Sequence, residues 1–245
     1  MKYNSTKTIL VLIFIIIILG CIFAFKVLNG DSNKKAYTAK SNYSKTEIIN
    51  LIKSESNKSN YAVEYTLNDT KYKIKYLNKK MKLETSTSEE NILSYLDFEK
   101  NTTTTINEKN KIAIIQKISS INENYMSNDI LEIIENSNCI IEKEEKISNR
   151  NAIVLSYTGT EKIGNQFLFF SDSSTNNNDN KIDEIKYELK MWIDTETGFL
   201  LQTTIKANNN EQKTTYDLKL NTVTTADVTV PNLSQYKVTD ITSKQ

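Results

Sequence analysis

The chain has 245 residues, 31 basic and 30 acidic side chains and a formal charge of +1, with a pI near 7.6 and a mean hydropathy of −0.47. Such a balance offers no basic field for nucleic acid and no acidic one for cationic partners. The absence of histidine excludes Ser-His-Asp triads, histidine metal sites and imidazole bases, and the five glycines form neither G-x-G-x-x-G nor G-x-x-x-x-G-K-[ST], so no standard nucleotide loop is written here.

Thr8 to Leu28 (TILVLIFIIIILGCIFAFKVL) carries no charge before Lys26. About 20 apolar residues at ~1.5 Å rise match a ~30 Å hydrocarbon core, which predicts tethering to a membrane over residues 1–28. Ile18-Leu19-Gly20-Cys21 resembles a bacterial lipobox, making Cys21 a lipidation candidate. Ile22, Phe23, Ala24 and Phe25 extend the run beyond a usual signal core, which favours an uncleaved single span over a lipoprotein or a cleaved signal. Lys2 and Lys7 face Lys26, Lys34 and Lys35 across the segment, a weak asymmetry. Long downstream domains translocate largely regardless of such counts, so residues 30–245 are expected outside the cytoplasm.

Cysteine use agrees: Cys139 is the only cysteine beyond the apolar run, so one exported domain has no internal disulfide. Abundant Asn, Ile and Lys with a single arginine, Arg150, suggest by composition alone a Gram-positive bacterium of AT-rich genome. A polar linker (29–42) leads into one β-rich domain over 43–245.

That domain opens with an amphipathic helix over 45–58. Ser44 and Glu47 have capping-box spacing, Tyr43 and Ile48 that of a hydrophobic staple, and Ile48, Leu51 and Ile52 share a face. From Tyr61 the period becomes two, so that Tyr61, Val63, Tyr65 and Tyr72, Ile74, Tyr76 oppose Glu64 and Lys71, Lys73, Lys75. Strands follow around 81–83, 92–98, 102–106 and 111–117, a meander with one apolar and one charged face. Met126, Ile130, Ile133 and Ile134 then take helical spacing within 125–136.

Strands resume at 139–145 and 152–157, and a polar insertion runs from Gly159 to Lys181, with Phe167 to Phe170 as a packed or flap-like cluster inside it. A long hairpin comes next. Ile185, Tyr187, Leu189, Met191 and Ile193 alternate with Lys190, Trp192 and Asp194, residues 194–198 turn, and Phe199, Leu201, Thr203 and Ile205 return. Residues 213–222 form one more strand, and the tail 223–242, with the only proline, Pro231, closes on a short edge strand. About ten or eleven antiparallel strands are too many for a strongly twisted sheet to stay open. The fold class is therefore mainly β, α+β: an incomplete antiparallel barrel with helices packed in its concave face.

Lys190 to Leu201 (KMWIDTETGFLL) resembles the "W-[IV]-D-x-x-T-G" hairpin of the LolA/LolB lipoprotein-carrier superfamily, which includes LppX-like and RseB-like proteins. Asn221-Thr222-Val223 and Asp227 to Pro231 resemble its closing segment. The resemblance implies an unclosed barrel whose hollow holds an acyl chain, a lipid or lipoprotein ligand, or docks a protein partner, without catalysis or cofactor. The tether speaks against a diffusing carrier. An anchored Gram-positive version is similar to the clostridial germination lipoproteins of the GerS kind, which implies as alternative a sporulation or germination role in binding and licensing a cell-wall amidase.

Each candidate residue has a plainer reading. Tyr61, Val63, Tyr65, Tyr72, Ile74, Tyr76, Met126, Ile130, Ile133, Ile134, Tyr187, Leu189 and Met191 are candidate cavity walls that serve equally as core. Trp192, on the polar face of its strand, is either a partner-surface aromatic or a ring covered by its neighbours. Cys139 reads as a small buried hydrophobe, with no histidine to activate it. Asp172, Asp179, Asp183 and Glu184 lack the order of a calcium loop. Glu142, Glu144 and Glu145 read as a solvated, lysine-interleaved face rather than an acid-base pair.

Overall fold

The computed structural model describes residues 42–55, 58–117, 130–131, 133–135, 138–162, 184–207 and 210–243. They form a mainly β protein of two sheets, not a closed barrel. Residues 1–41 lie outside the described set, and with them the expected anchor and Cys21. Among the described residues no helix is long and apolar enough to cross a membrane.

Helix α1 spans Lys45–Glu55. Its start obeys the predicted box: the Ser44 N–H and Oγ both donate to Glu47 Oε2 at 2.7 Å, and the Glu47 N–H donates to Ser44 Oγ at 3.2 Å. Two orphan amides of the first turn are thereby satisfied. Hydrogen bonding to Ser44 holds the Glu47 carboxyl below its ordinary value.

The meander follows as β1 (Asn60–Leu67), β2 (Thr70–Leu77), β3 (Lys80–Ser86), β4 (Asn91–Asp97), β5 (Thr102–Asn107) and β6 (Ile112–Lys117). Asn68-Asp69 and Asn78-Lys79 turn the first two hairpins with φ between 44° and 64°. Two consecutive positive φ values match the twist of the flanking strands, and Asn and Asp tolerate them best. Ser148-Asn149 does the same between β7 (Ile140–Ile147) and β8 (Arg150–Lys162).

β9 (Glu184–Asp194) and β10 (Leu200–Ala207) form the long hairpin, followed by β11 (Asn210–Thr215), β12 (Asp217–Leu220) and β13 (Lys237–Asp240). The eight-stranded sheet has the order β12-β1-β2-β3-β4-β5-β6-β13, and the five-stranded sheet β11-β10-β9-β8-β7. The strand expected over 213–222 is divided: residues 210–215 pair with β10 and residues 217–220 with β1. At the joint the Tyr216 N–H donates to the Leu201 carbonyl at 2.9 Å, so one run of chain links the two sheets.

Three expectations on architecture change. The polar insertion begins later than Gly159, because Gly159 to Lys162 continue β8 and pair with Glu184 to Tyr187. The edge strand β13 runs parallel to β6 rather than antiparallel. The helical segments share one face of the five-stranded sheet and leave the eight-stranded one: Ile48 and Ile52 of α1, with Ile130, Ile133 and Ile134, bury against Ile153, Leu155, Leu189, Met191, Ile193 and Ile205.

At the far end of that cluster Gly198 has φ +80°, and an added Cβ would lie 2.1 Å from the Leu51 carbonyl oxygen. Only glycine lets the β9–β10 turn sit against α1. The C-terminal tail straps the charged face of the eight-stranded sheet. Asn60 brackets the Val223 backbone through two hydrogen bonds, Lys75 pairs with Asp227, and Leu233 and Tyr236 pack on Leu93, Tyr95, Ile106 and Ala113.

Candidate ligand face and its mouth

Cross-strand register assembles the candidate face. Tyr61 pairs with Tyr76, Val63 with Ile74 and Tyr65 with Tyr72, and directly opposed side chains stand on the same side of the sheet. The rings stack across the strands, Tyr61 on Tyr76 with centroids 5.1 Å apart and Tyr65 on Tyr72 at 4.9 Å. Phe199 meets Tyr61 edge-on at 4.8 Å, and Tyr216 leans on Tyr65 at 5.0 Å. Met81 and Leu96 extend the cluster onto β3 and β4.

The same register keeps charge off this face. Glu64, Lys71, Lys73, Lys75, Lys80, Lys82 and Glu84 all occupy the alternate positions, facing away from the tyrosines.

Along β1 and β2 burial falls from Tyr61 and Tyr76 toward Tyr65 and Tyr72. Tyr61, Val63, Ile74 and Tyr76 are buried, whereas Tyr65, Tyr72, Leu83, Tyr216, Leu218 and Leu220 are only partly covered. Partial burial still pushes the Tyr72 phenol above its ordinary value. On the opposite, charged face of the sheet, behind Tyr65 and Tyr72, a groove of about 650 Å³ is lined by Glu64, Lys71, Lys73, Glu84 and Lys213. Among the described residues no helix packs against this cluster; those helices belong to the five-stranded sheet.

The candidate cavity walls thus fall into two groups. Tyr61, Val63, Tyr65, Tyr72, Ile74 and Tyr76 share the ladder, while Ile130, Ile133, Ile134, Tyr187, Leu189 and Met191 lie in the helix-covered cluster. Met126 is outside the described residues, as are Asp172, Asp179, Asp183 and Phe167 to Phe170. Among the described residues no group of three or more carboxylates and thiols gathers to hold a metal ion.

Trp192 is not a surface aromatic. It is 8% exposed, packs among Ala152, Val154 and Leu201, and its Nε1 donates to Glu145 Oε2 at 2.7 Å. The signal was in Ala152-Ile153-Val154-Leu155, an unbroken apolar run that buries both faces of β8. Glu142 pairs with Lys190 at 3.1 Å and Glu145 with Lys143 at 2.5 Å. Hydrogen bonds from Lys143 and Trp192 hold the Glu145 carboxyl below its ordinary value. Cys139 packs at the edge of the helix-covered cluster, and burial pushes its thiol up to about 12, which keeps it protonated and unreactive.

One polar constellation escaped the sequence reading. Arg150 opens β8 and reaches Asp194 Oδ2 at 2.6 Å and Glu196 at 3.3 Å. Asp194 is 1% exposed and also accepts hydrogen bonds from the Thr197 N–H and hydroxyl. The Thr195 N–H donates to the Asn151 carbonyl at 2.9 Å. This knot ties the β7–β8 and β9–β10 turns together, and every ligand of the buried carboxylate is internal to it, which marks it as structural.

No protein-family model matches the chain, and no curated protein matches it. Among solved structures it is similar to an uncharacterized conserved protein from Thermus thermophilus, with a TM-score of 0.46 and 10% identity over 80% of this chain and 98% of that one. It is also similar to LprF from Mycobacterium bovis, with a TM-score of 0.40 and 11% identity over 77% of this chain and 97% of LprF.

Proposed function

We propose that the chain is a membrane-tethered, extracytoplasmic, non-enzymatic binding protein of LolA-like build that holds an apolar chain, an acyl or lipid group, on the tyrosine-lined face of its eight-stranded sheet. The observation that carries this reading is the graded ladder, in which a charge-free stripe runs from the buried Tyr61, Val63, Ile74 and Tyr76 to the partly covered Tyr65 and Tyr72. Tyrosine combines a large apolar surface with few rotors, so a half-exposed tyrosine face binds at low entropic cost. Support for a non-catalytic role comes from the residues themselves: no histidine, a thiol held protonated, and a buried carboxylate spent on a structural knot.

The apolar run at 8–28 supports the tether. A permanently anchored protein suits retention or presentation of a ligand at one membrane better than shuttling between two. Mass spectrometry of lipids extracted from the detergent-purified full chain tests the reading. It expects an acyl-bearing species near one per chain that declines in Tyr65→Ala/Tyr72→Ala. A chain free of acyl ligand that instead captures a protein by crosslinking would sink it.

A further inference from the structure

The ladder face changes character as it crosses the eight-stranded sheet. Register carries it from Tyr76 and Ile74 to Met81 and Leu83 on β3, to Leu96 and Ser94 on β4, and to Thr103 and Thr105 on β5, directly opposed side chains sharing one side. Aromatic rings give way to aliphatic chains and then to hydroxyls. Every charged residue of β1–β6 takes the alternate positions, so the polar end of this face is uncharged. Thr103 is 3% exposed, and its Oγ1 has no hydrogen-bond partner among the described residues. Ser94 is equally buried, and its Oγ lies 3.5 Å from Thr105 Oγ1, beyond the about 2.5–3.0 Å of an O–H···O bond. Thr105, next on this face of β5, and Gln116, opposite Thr103 on β6, are partly exposed. The hydroxyl stripe therefore runs from a buried end to one that meets water.

Burying a hydroxyl without a partner costs free energy, and such a group in a folded chain calls for an explanation. An acceptor brought in by a ligand supplies one. A carboxylate or phosphate oxygen is disfavoured in that place, because no cation on this face offsets the loss of its hydration. A carbonyl oxygen carries no such penalty. We propose that Thr103 and Thr105 bind the ester carbonyl of an uncharged acyl lipid, whose chain lies across Leu96 and Met81 onto the tyrosine ladder. A free fatty acid enters the same site in its protonated form. From β5 to β1 is four strand spacings, about 19 Å, a span that suits a long acyl chain. This rests on the reading of the ladder as chain-binding and adds the linkage by which the ligand is held.

The test titrates the full chain in maltoside micelles with a monoacylglycerol and with the ether-linked alkylglycerol of equal length, which lacks the carbonyl, each corrected for protein-free micelles. The ester is expected to bind about tenfold more tightly. Thr103→Val replaces the hydroxyl with a methyl, abolishes that preference and leaves the affinity for the ether unchanged. Its melting temperature does not fall, because no bond within the fold is lost. Thr103→Ser keeps the hydroxyl and with it the preference. Equal binding of ester and ether by the native chain, or a preference that survives in Thr103→Val, overturns the ester site and leaves the ladder reading standing. A lower melting temperature of Thr103→Val shows a hydroxyl already bonded in the free fold and likewise overturns the site alone. Binding of neither lipid overturns the chain-binding reading and this proposal with it.

Discussion

The two apolar sheet faces of this chain are made of different residues and treated differently by the fold. On the five-stranded sheet, Ile153, Leu155, Met191, Ile193 and Ile205 meet Ile48 and Ile52 of α1, and nearly all are fully buried. On the eight-stranded sheet, tyrosines alternate with Val63 and Ile74, and coverage weakens toward Tyr65 and Tyr72. Aliphatic side chains gain nothing at a water boundary, whereas tyrosine presents an apolar body and a polar tip. The first face reads as a core built to be sealed, the second as a surface built to meet something that comes and goes.

Substitutions separate the two faces most sharply. Ile52→Ala should lose about 2–5 kcal/mol of unfolding free energy, through lost transfer energy and an unfilled cavity. Tyr72→Ala should cost only about 1–2 kcal/mol, since its ring is already half in water. Urea titration of both variants checks this. Equal losses would erase the distinction between a sealed and an open face.

The junction between the helix and the long hairpin comes next. Gly198→Ala must place a methyl against the Leu51 carbonyl at a positive φ, at a cost of about 1–3 kcal/mol plus whatever α1 loses by moving. Amide hydrogen exchange should show α1 loosened while β1–β5 stay protected. Uniform loosening of both sheets would mean that the helix is not a local lid on the five-stranded sheet.

How much of this was legible in the sequence depends on how far apart the partners lie. The Ser44–Glu47 box and the Asn-Asp and Asn-Lys turns are local, and the period-two pattern of residues 61–76 already put the tyrosines on one face and the lysines on the other. The Arg150–Asp194 knot joins residues 44 apart in sequence, and nothing within either segment announces the pairing. The division of residues 210–220 between two sheets was equally hidden. Its alternation of Tyr216, Leu218 and Leu220 is that of one strand, and only the partners, β10 before the joint and β1 after it, differ. Of the two readings open for Trp192 the covered ring is the one found, and the apolar run of β8 beside β9 is what covers it.

Smaller effects test the helix start and the tail strap. Ser44→Ala removes the cap of α1 and should cost about 1 kcal/mol, seen as a lower urea midpoint with an unchanged slope. The strap carries a pH signature. The Lys75 hydrogen bond, then the Thr224 bonds, hold the Asp227 carboxyl below its ordinary value of 3.8. Its contribution is therefore complete above that value and lost as pH falls through the lower folded one. The stability gap between native chain and Asp227→Asn should be constant above about pH 5 and narrow as the solution is acidified below it. A gap that widens toward acid would show that Asp227 is not held in its charged form by the strap.

The most direct test of the ligand face is photo-crosslinking of the detergent-solubilised full chain with a diazirine-bearing fatty acid, followed by peptide mapping. Labels should concentrate on β1, β2 and the 210–220 run, at Tyr65, Tyr72 and Tyr216, and should be displaced by excess unlabelled fatty acid. Labels confined to the 8–28 segment, or to the helix-covered cluster around Ile52 and Met191, would contradict a chain-binding role for the tyrosine ladder.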